Sequence, residues 1–186
     1  MEELNTLLAK RRSYRKYTNE PLTGDEVQLI LEAALLSPSS KGKRCWEFIV
    51  VEDKEMLQSL ASCKPQNGGF TADAALAIVV LGNPMDTDAW IEDASIAAIN
   101  MQLQAEALDL GSCWVQVRGR NFSDSVTSGE YINDLLDIPM PLQVLCIITF
   151  GRKEKQKNPA NLDNLMWEKV HIGKFTLPNV DNNDKV

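Results

Sequence analysis

Ala75-Leu76-Ala77-Ile78-Val79-Val80-Leu81 is an unbroken apolar run, closed by Gly82 and Pro84. A run of this kind reads as a strand buried on both faces. Gln143-Val144-Leu145-Cys146-Ile147-Ile148-Thr149-Phe150, ended by Gly151, is a second strong strand. Trp46 to Val51 alternates at first and is apolar at its end, and Ser112 to Val117 follows a helix directly; both also read as strands. Around them the sequence predicts helices. Thr23-Gly24-Asp25-Glu26 is a capping box, and behind it Val27, Ile30, Leu31, Ala34 and Leu35 recur with helical period up to Ser37-Pro38. The longest helix spans about 88–109, with a stripe of Ile91, Ala94, Ala97, Ala98, Met101, Ala105 and Leu108, and Gly111 placed to end it. Shorter helices are expected at 3–11, 54–62 and 130–137. Strands interleaved with helices, without repeat or linker, make one α/β or α+β domain over residues 1–186.

Hydrophobic residues at 44% and charged residues at 24% are ordinary for a globular protein, and 186 residues can bury a sizeable core. A net charge of −7 argues against general binding to nucleic acid or a membrane surface, since a polyanion is repelled over most of the molecule. Cys45, Cys63, Cys113 and Cys146 lie far apart, and His171 is the only histidine, so metal-ligand spacing is absent. With no apolar leader after Met1 and no membrane-length run, the expectation is a cytoplasmic protein.

Against that acidic background, Lys10-Arg11-Arg12-Ser13-Tyr14-Arg15-Lys16 packs five cations into seven residues. Lys41, Lys43 and Arg44 form a second cluster, and Arg152, Lys153, Lys155 and Lys157 a third; together they hold 12 of the 19 lysines and arginines. Guanidinium groups bind phosphate in bidentate fashion, so Arg11, Ser13 and Arg15 are candidates for an anion site. The competing reading is three solvated faces. Hydrolytic machinery is hard to assemble with one histidine in the tail, and no Walker A, G-x-G-x-x-G or H-E-x-x-H motif is present. What remains is a protein that holds a cofactor able to do the hard chemistry. A phosphorylated-ligand or RNA-binding module is the alternative.

Four features in register resemble the FMN-dependent nitroreductase family: Arg11-Arg12-Ser13-x-Arg15; Ser37-Pro38-Ser39-Ser40 followed by Trp46; the helix carrying Asp93 with Leu110-Gly111-Ser112-Cys113-Trp114-Val115; and the closing strand into Gly151. The likeness runs over about residues 3–175. It implies an α+β fold, a central, mostly antiparallel sheet flanked by helices. It also implies a homodimer with FMN in sites at the subunit interface, the C-terminal tail (about 158–186) being exchanged onto the partner. Carried over, Arg11 and Ser13, with Arg12 beside them, hold the FMN phosphate, and Arg15 reaches the pyrimidine edge of the flavin. Pro38, Ser39 and Ser40 come from the other subunit. Trp114, Val115, Gln116 and Val117 pass the reactive edge, and Lys157, or failing it Lys153, completes the phosphate site. Arg44 stands where the family often has glutamine, and Gln116-Val117-Arg118 replaces a common glycine. The resemblance implies hydride transfer from NADH or NADPH through the flavin to a nitroaromatic, quinone or similar small-molecule acceptor in two half-reactions. No side chain need be acid or base. A flavin-binding or redox-sensing protein without turnover is the rival within this reading.

Overall fold

In the computed structural model, which describes residues 3–176, the two apolar runs become the two central strands. β1 (Trp46–Val51), β2 (Leu76–Gly82), β3 (Leu110–Gln116) and β4 (Gln143–Arg152) pair in the order β1-β2-β4-β3, antiparallel throughout. Every residue of β2 is buried, and so are eight of the ten in β4. Two-sided burial is met here by helices on both faces of an antiparallel sheet, which makes the fold α+β.

Five helices supply the cover: α1 (Leu4–Lys10), α2 (Gly24–Leu35), α3 (Lys54–Ala61), α4 (Trp90–Ala107) and α5 (Ser128–Leu135). On one face α2 and α4 pack Ile30, Ala34, Ala94, Ala97, Ala98, Met101 and Ala105 against Leu76, Ile78, Val80, Ile148 and Phe150. The alanines let the two helices approach closely, as the stripe predicted. On the other face Leu57 and Leu60 of α3 and Ile132 of α5 meet Ala77, Val79, Leu81, Val115 and Ile147. Each fully buried Leu or Ile is worth about 1.5–3 kcal/mol of transfer free energy.

Two local readings are corrected. Gly111 does not end α4; Asp109 takes the left-handed turn, at φ 57°, and Gly111 is already in β3. The chain therefore reverses two residues earlier than the glycine implies. The fifth helix starts at Ser128 rather than 130, because Thr127 and Glu130 form a second capping box that the sequence reading missed. The four cysteines are free and buried, as expected. No helix among the described residues is long and apolar enough to cross a membrane. The predicted tail is described as far as Thr176; its remainder, 177–186, lies outside the described residues.

The first capping box does more than start α2. Glu26 accepts from the Thr23 amide at 2.8 Å and also holds Arg152 with both oxygens, at 2.6 and 2.9 Å. Burial pushes the Glu26 carboxyl up, but Arg152 and the Thr23 amide and hydroxyl outweigh it and hold it below its ordinary 4.5. A depressed carboxyl stabilises the fold above its unfolded value, and that contribution is lost as pH falls through the folded value. Glu26→Gln is therefore expected to cost on the order of 1–3 kcal/mol at pH 7. The difference from the parent should shrink towards pH 3 in urea titrations at the two pH values.

Candidate functional site

The first basic cluster does not lie on a helix face. After α1 ends at Lys10, the chain runs extended across the ends of β3 and β4. Ser13 bridges Ser112, the Tyr14 amide donates to the Ser112 carbonyl at 2.9 Å, and the Thr18 amide donates to the Arg152 carbonyl at 3.0 Å. Tyr14 and Tyr17 point inward and are buried; Arg12, Arg15 and Lys16 remain exposed. The tyrosines thus fasten the segment and the cations are presented outward.

Burial pushes the Cys113 thiol in β3 up, and outweighs the lowering by Arg15, Ser13, Lys157 and Arg11. Lys157 is fixed where it can join them, its Nζ donating to the Ser13 carbonyl at 2.6 Å and its amide to the Tyr14 hydroxyl at 3.1 Å. Arg12 turns away and donates to the Asn158 carbonyl at 2.7 Å, tying down the start of the tail. Beside the cluster is a cavity of about 540 Å³ with Arg15, Lys16, Lys155 and Lys157 on its walls and Glu154 as its one carboxylate. Lys16 and Lys155, which the sequence reading did not place in a site, line it with Tyr14 and Gln156. Their only signal was charge beside a predicted site.

Lys153 has a different fate. Its Nζ sits between Glu106 and Asp109, 2.9 Å from each, with 3% of its side chain exposed. Burial lowers the Lys153 ammonium, but the hydrogen bonds it donates to Asp109 and Glu106 outweigh it and raise it. This ammonium is matched by two carboxylates, so it has no charge to spare for a phosphate. The third cluster is therefore divided: Arg152 and Lys153 are structural ion pairs, while Lys155 and Lys157 face the cavity.

β3 is an edge strand. Past Ser112, its outer edge has no strand partner among the described residues. Trp114 and Gln116 are half-buried on the face that bears α4, the Trp114 indole donating to Gln116 Oε1 at 2.8 Å, while Val115 and Val117 are buried on the other. Arg118 lies over the ring of Trp90, 5.9 Å from its centroid.

The second cluster is elsewhere. The loop carrying Pro38, Ser39, Ser40 and Arg44 is pinned to α4 near its start. Asp93 accepts from the Ser40 amide at 2.8 and 3.0 Å, and the Arg44 amide donates to Ser39 Oγ at 2.8 Å. Lys41 and Arg44 take left-handed φ values of 52° and 51°, a conformation that costs a non-glycine residue about 1 kcal/mol or more. Asp93 and Glu106 mark opposite ends of α4, roughly 20 Å apart at the helical rise. One chain thus brings Ser13, Arg15 and Lys157 together, and holds Ser39, Ser40 and Arg44 towards the start of α4, with Ser37, beside Pro38, accepting from Asn100 at mid-helix at 2.8 Å. Trp46 is a core residue at 7% exposure.

Comparison with known proteins follows this geometry. The profile of the Nitroreductase family matches residues 8–66 and 56–152. A protein of Archaeoglobus fulgidus, provisionally named an NADH dehydrogenase/NAD(P)H nitroreductase, is 32% identical over 168 residues, covering 88% of this chain and 93% of its own. A protein of Methanothermobacter thermautotrophicus with the same provisional name is 33% identical over 168 residues, 89% of this chain and 84% of its own. The solved structure of an FMN-dependent nitroreductase from Clostridium difficile R20291 superposes with a TM-score of 0.90 at 47% identity, over 92% of this chain and all (100%) of that one.

The ion pairs separate two lysines by experiment. Lys153→Gln strands Glu106 in the interior and is expected to cost about 3–5 kcal/mol in urea unfolding. Lys157→Gln, exposed and beside the cavity, should stay within about 0.5 kcal/mol of the parent, while its affinity for inorganic phosphate falls.

Proposed function

The chain belongs to the nitroreductase family, and from that premise we propose that it is an NAD(P)H-dependent FMN oxidoreductase, one domain over residues 1–186. The observation that carries this reading is a cavity walled by Arg15, Lys16, Lys155 and Lys157, with Lys157 bound to the Ser13 carbonyl, in a protein of net charge −7. The donor set fits FMN: one guanidinium, an ammonium and a hydroxyl for a phosphate, and a second guanidinium beside a strand edge that has no strand partner among the described residues for the polar edge of a ring.

When bound, FMN supplies the capacity to take hydride from NADH or NADPH and pass it to a nitroaromatic, quinone or similar acceptor in two half-reactions sharing one pocket. The residues do the rest. Arg11, Ser13 and Lys157 hold the phosphate by charge-assisted hydrogen bonds. Arg15 places a fixed positive charge towards the pyrimidine edge, where it offsets negative charge in a partly dry site. The outer edge of Trp114 to Val117 offers backbone groups to the ring. No thiol takes part as a nucleophile: burial first, then Asp93, pushes Cys45 up to about 11, and burial pushes Cys63 up to about 11, so both stay neutral near pH 7.

Pro38, Ser39, Ser40 and Arg44 join the site from a second copy of the chain. Support comes from the length of α4 and from apolar surface that the single chain leaves bare. Ile96 and Ile99 on the outer side of α4 are each 38% exposed, Leu36 84% and Trp167 of the tail 70%. Large apolar side chains left bare in this way are what a second chain would cover. The assembly is read as a cytoplasmic homodimer with the tail laid on the partner, needing neither nucleic acid nor membrane.

The purified protein should be yellow, and anaerobic NADH or NADPH should bleach the flavin absorbance, which nitroaromatic or quinone should restore. A yellow protein bleached by neither nucleotide is a flavin binder without turnover; a colourless protein that takes up no FMN ends the reading. Ile96→Glu with Ile99→Glu is expected to yield a monomer with at least about tenfold weaker FMN binding, read by sedimentation and flavin fluorescence. A monomer with full FMN affinity would sink the shared site.

A further inference from the structure

Gly111 and Gly151 are register partners across β3 and β4. A Cβ built on Gly111 would stand 2.9 Å from Tyr14 Cβ and 3.0 Å from its Cγ, and one built on Gly151 would stand 2.7 Å from Tyr17 Cδ1 and 2.8 Å from its Cγ. No side chain fits in either space. The two tyrosines rest directly on the bare backbone of the glycine pair, 2% and 8% exposed.

These tyrosines are what the anion site hangs on. The Tyr17 hydroxyl donates to the Tyr14 carbonyl at 2.7 Å and shares a hydrogen bond with Thr149 Oγ1 at 2.8 Å, and that Oγ1 lies 3.3 Å from the Cys113 carbonyl. Tyr14 is the residue between Ser13 and Arg15, and its hydroxyl accepts the amide of Lys157. Lys157 and Lys153 both place their ammonium groups over its ring, 5.1 and 5.2 Å from the centroid. Raising either ring off the sheet therefore carries Ser13, Arg15 and Lys157 with it.

We propose that the Gly111–Gly151 pair is a positioning element of the anion site. It sets the depth at which Ser13, Arg15 and Lys157 are held over the end of the sheet, without touching the ligand. The identity of the ligand rests on the FMN reading; the positioning role does not. A phosphate held by several short hydrogen bonds tolerates displacements of only about 0.5 Å in its donors. A methyl group under either ring demands movement of that order, since each contact is already at or inside the closest approach of a real Cβ.

The test uses full-length apoprotein, titrated with FMN by fluorescence quenching and with inorganic phosphate as competitor. Gly151→Ala and Gly111→Ala are compared with Ile132→Val, a core change on α5 that lowers stability without approaching the cluster. The glycine variants should bind FMN at least about tenfold more weakly at a temperature where all are folded. Phosphate should compete less well, and the visible circular dichroism of FMN at saturation should change; Ile132→Val should match the parent in all three. Glycine variants within about threefold of the parent would overturn the proposal. Should the alanine variants not fold, Tyr17→Phe removes the two hydroxyl bonds without adding bulk; weaker FMN binding supports the seat, and parent-like binding overturns it. A parent that binds no FMN defeats the cofactor reading alone, and the glycine pair is then judged on inorganic phosphate.

Discussion

Val79 and Ile147 stand opposite each other in the middle of the sheet, both fully buried, packed under α3 and α5. Their neighbours Ile78 and Ile148 face the other way, under α2 and α4, and are equally dry. With β2 and β4 closed to water on both sides, no polar chemistry has a place at the centre of the molecule. It must collect where the sheet stops: at the outer edge of β3, at the ends of β3 and β4, and at the ends of the helices. The cationic segment crosses one of those ends, and the Ser39–Arg44 loop occupies another. The fold thus decides where a ligand can be held before any side chain decides which.

Within those places the fold also decides which cations keep their charge available. Arg152 is held by Glu26 and Glu20, and Lys153 by Glu106 and Asp109. A buried ammonium without such partners would be costly, and with them its field is largely cancelled. Arg15, Lys16, Lys155 and Lys157 meet one carboxylate around the cavity. An acidic protein that sets four cations against one carboxylate around a single cavity raises the positive potential there, and so favours an anion at that place over most of its surface.

The sheet was legible in the sequence because uninterrupted apolar runs admit little else, and α2 and α4 because period and capping agree. Gly111 misled because a glycine after a helix usually marks the cap; here it is absent of side chain for Tyr14, a contact between residues 97 positions apart that no local pattern contains. The same holds for Lys153 and Lys157. They are alike in a string of basic residues, and only the positions of Glu106 at the end of α4 and Asp109 in the turn after it tell them apart. Arg11, Ser13 and Arg15 could be proposed from charge density and the family resemblance. Tyr14, Tyr17 and Asp93 could not be given roles, because what each does is defined by a partner distant in the chain.

The same distance argument bears on how many chains make a site. α4 is one uninterrupted helix with the Ser40 loop tied to Asp93 near its start and Lys153 tied to Glu106 near its end. Bending it enough to join the two would break the packing of Ala94, Ala97, Ala98, Met101 and Ala105, all fully buried. The loop nonetheless carries the marks of a constrained feature: two non-glycine residues in left-handed conformation and a buried carboxylate holding one amide with both oxygens. Strain of that kind persists where surrounding structure enforces it, and it clusters at sites that bind. If the loop serves the same ligand as the cationic segment, its counterpart is on another molecule. The bare Ile96 and Ile99, on the face of α4 turned away from the core, then give a second chain somewhere to rest.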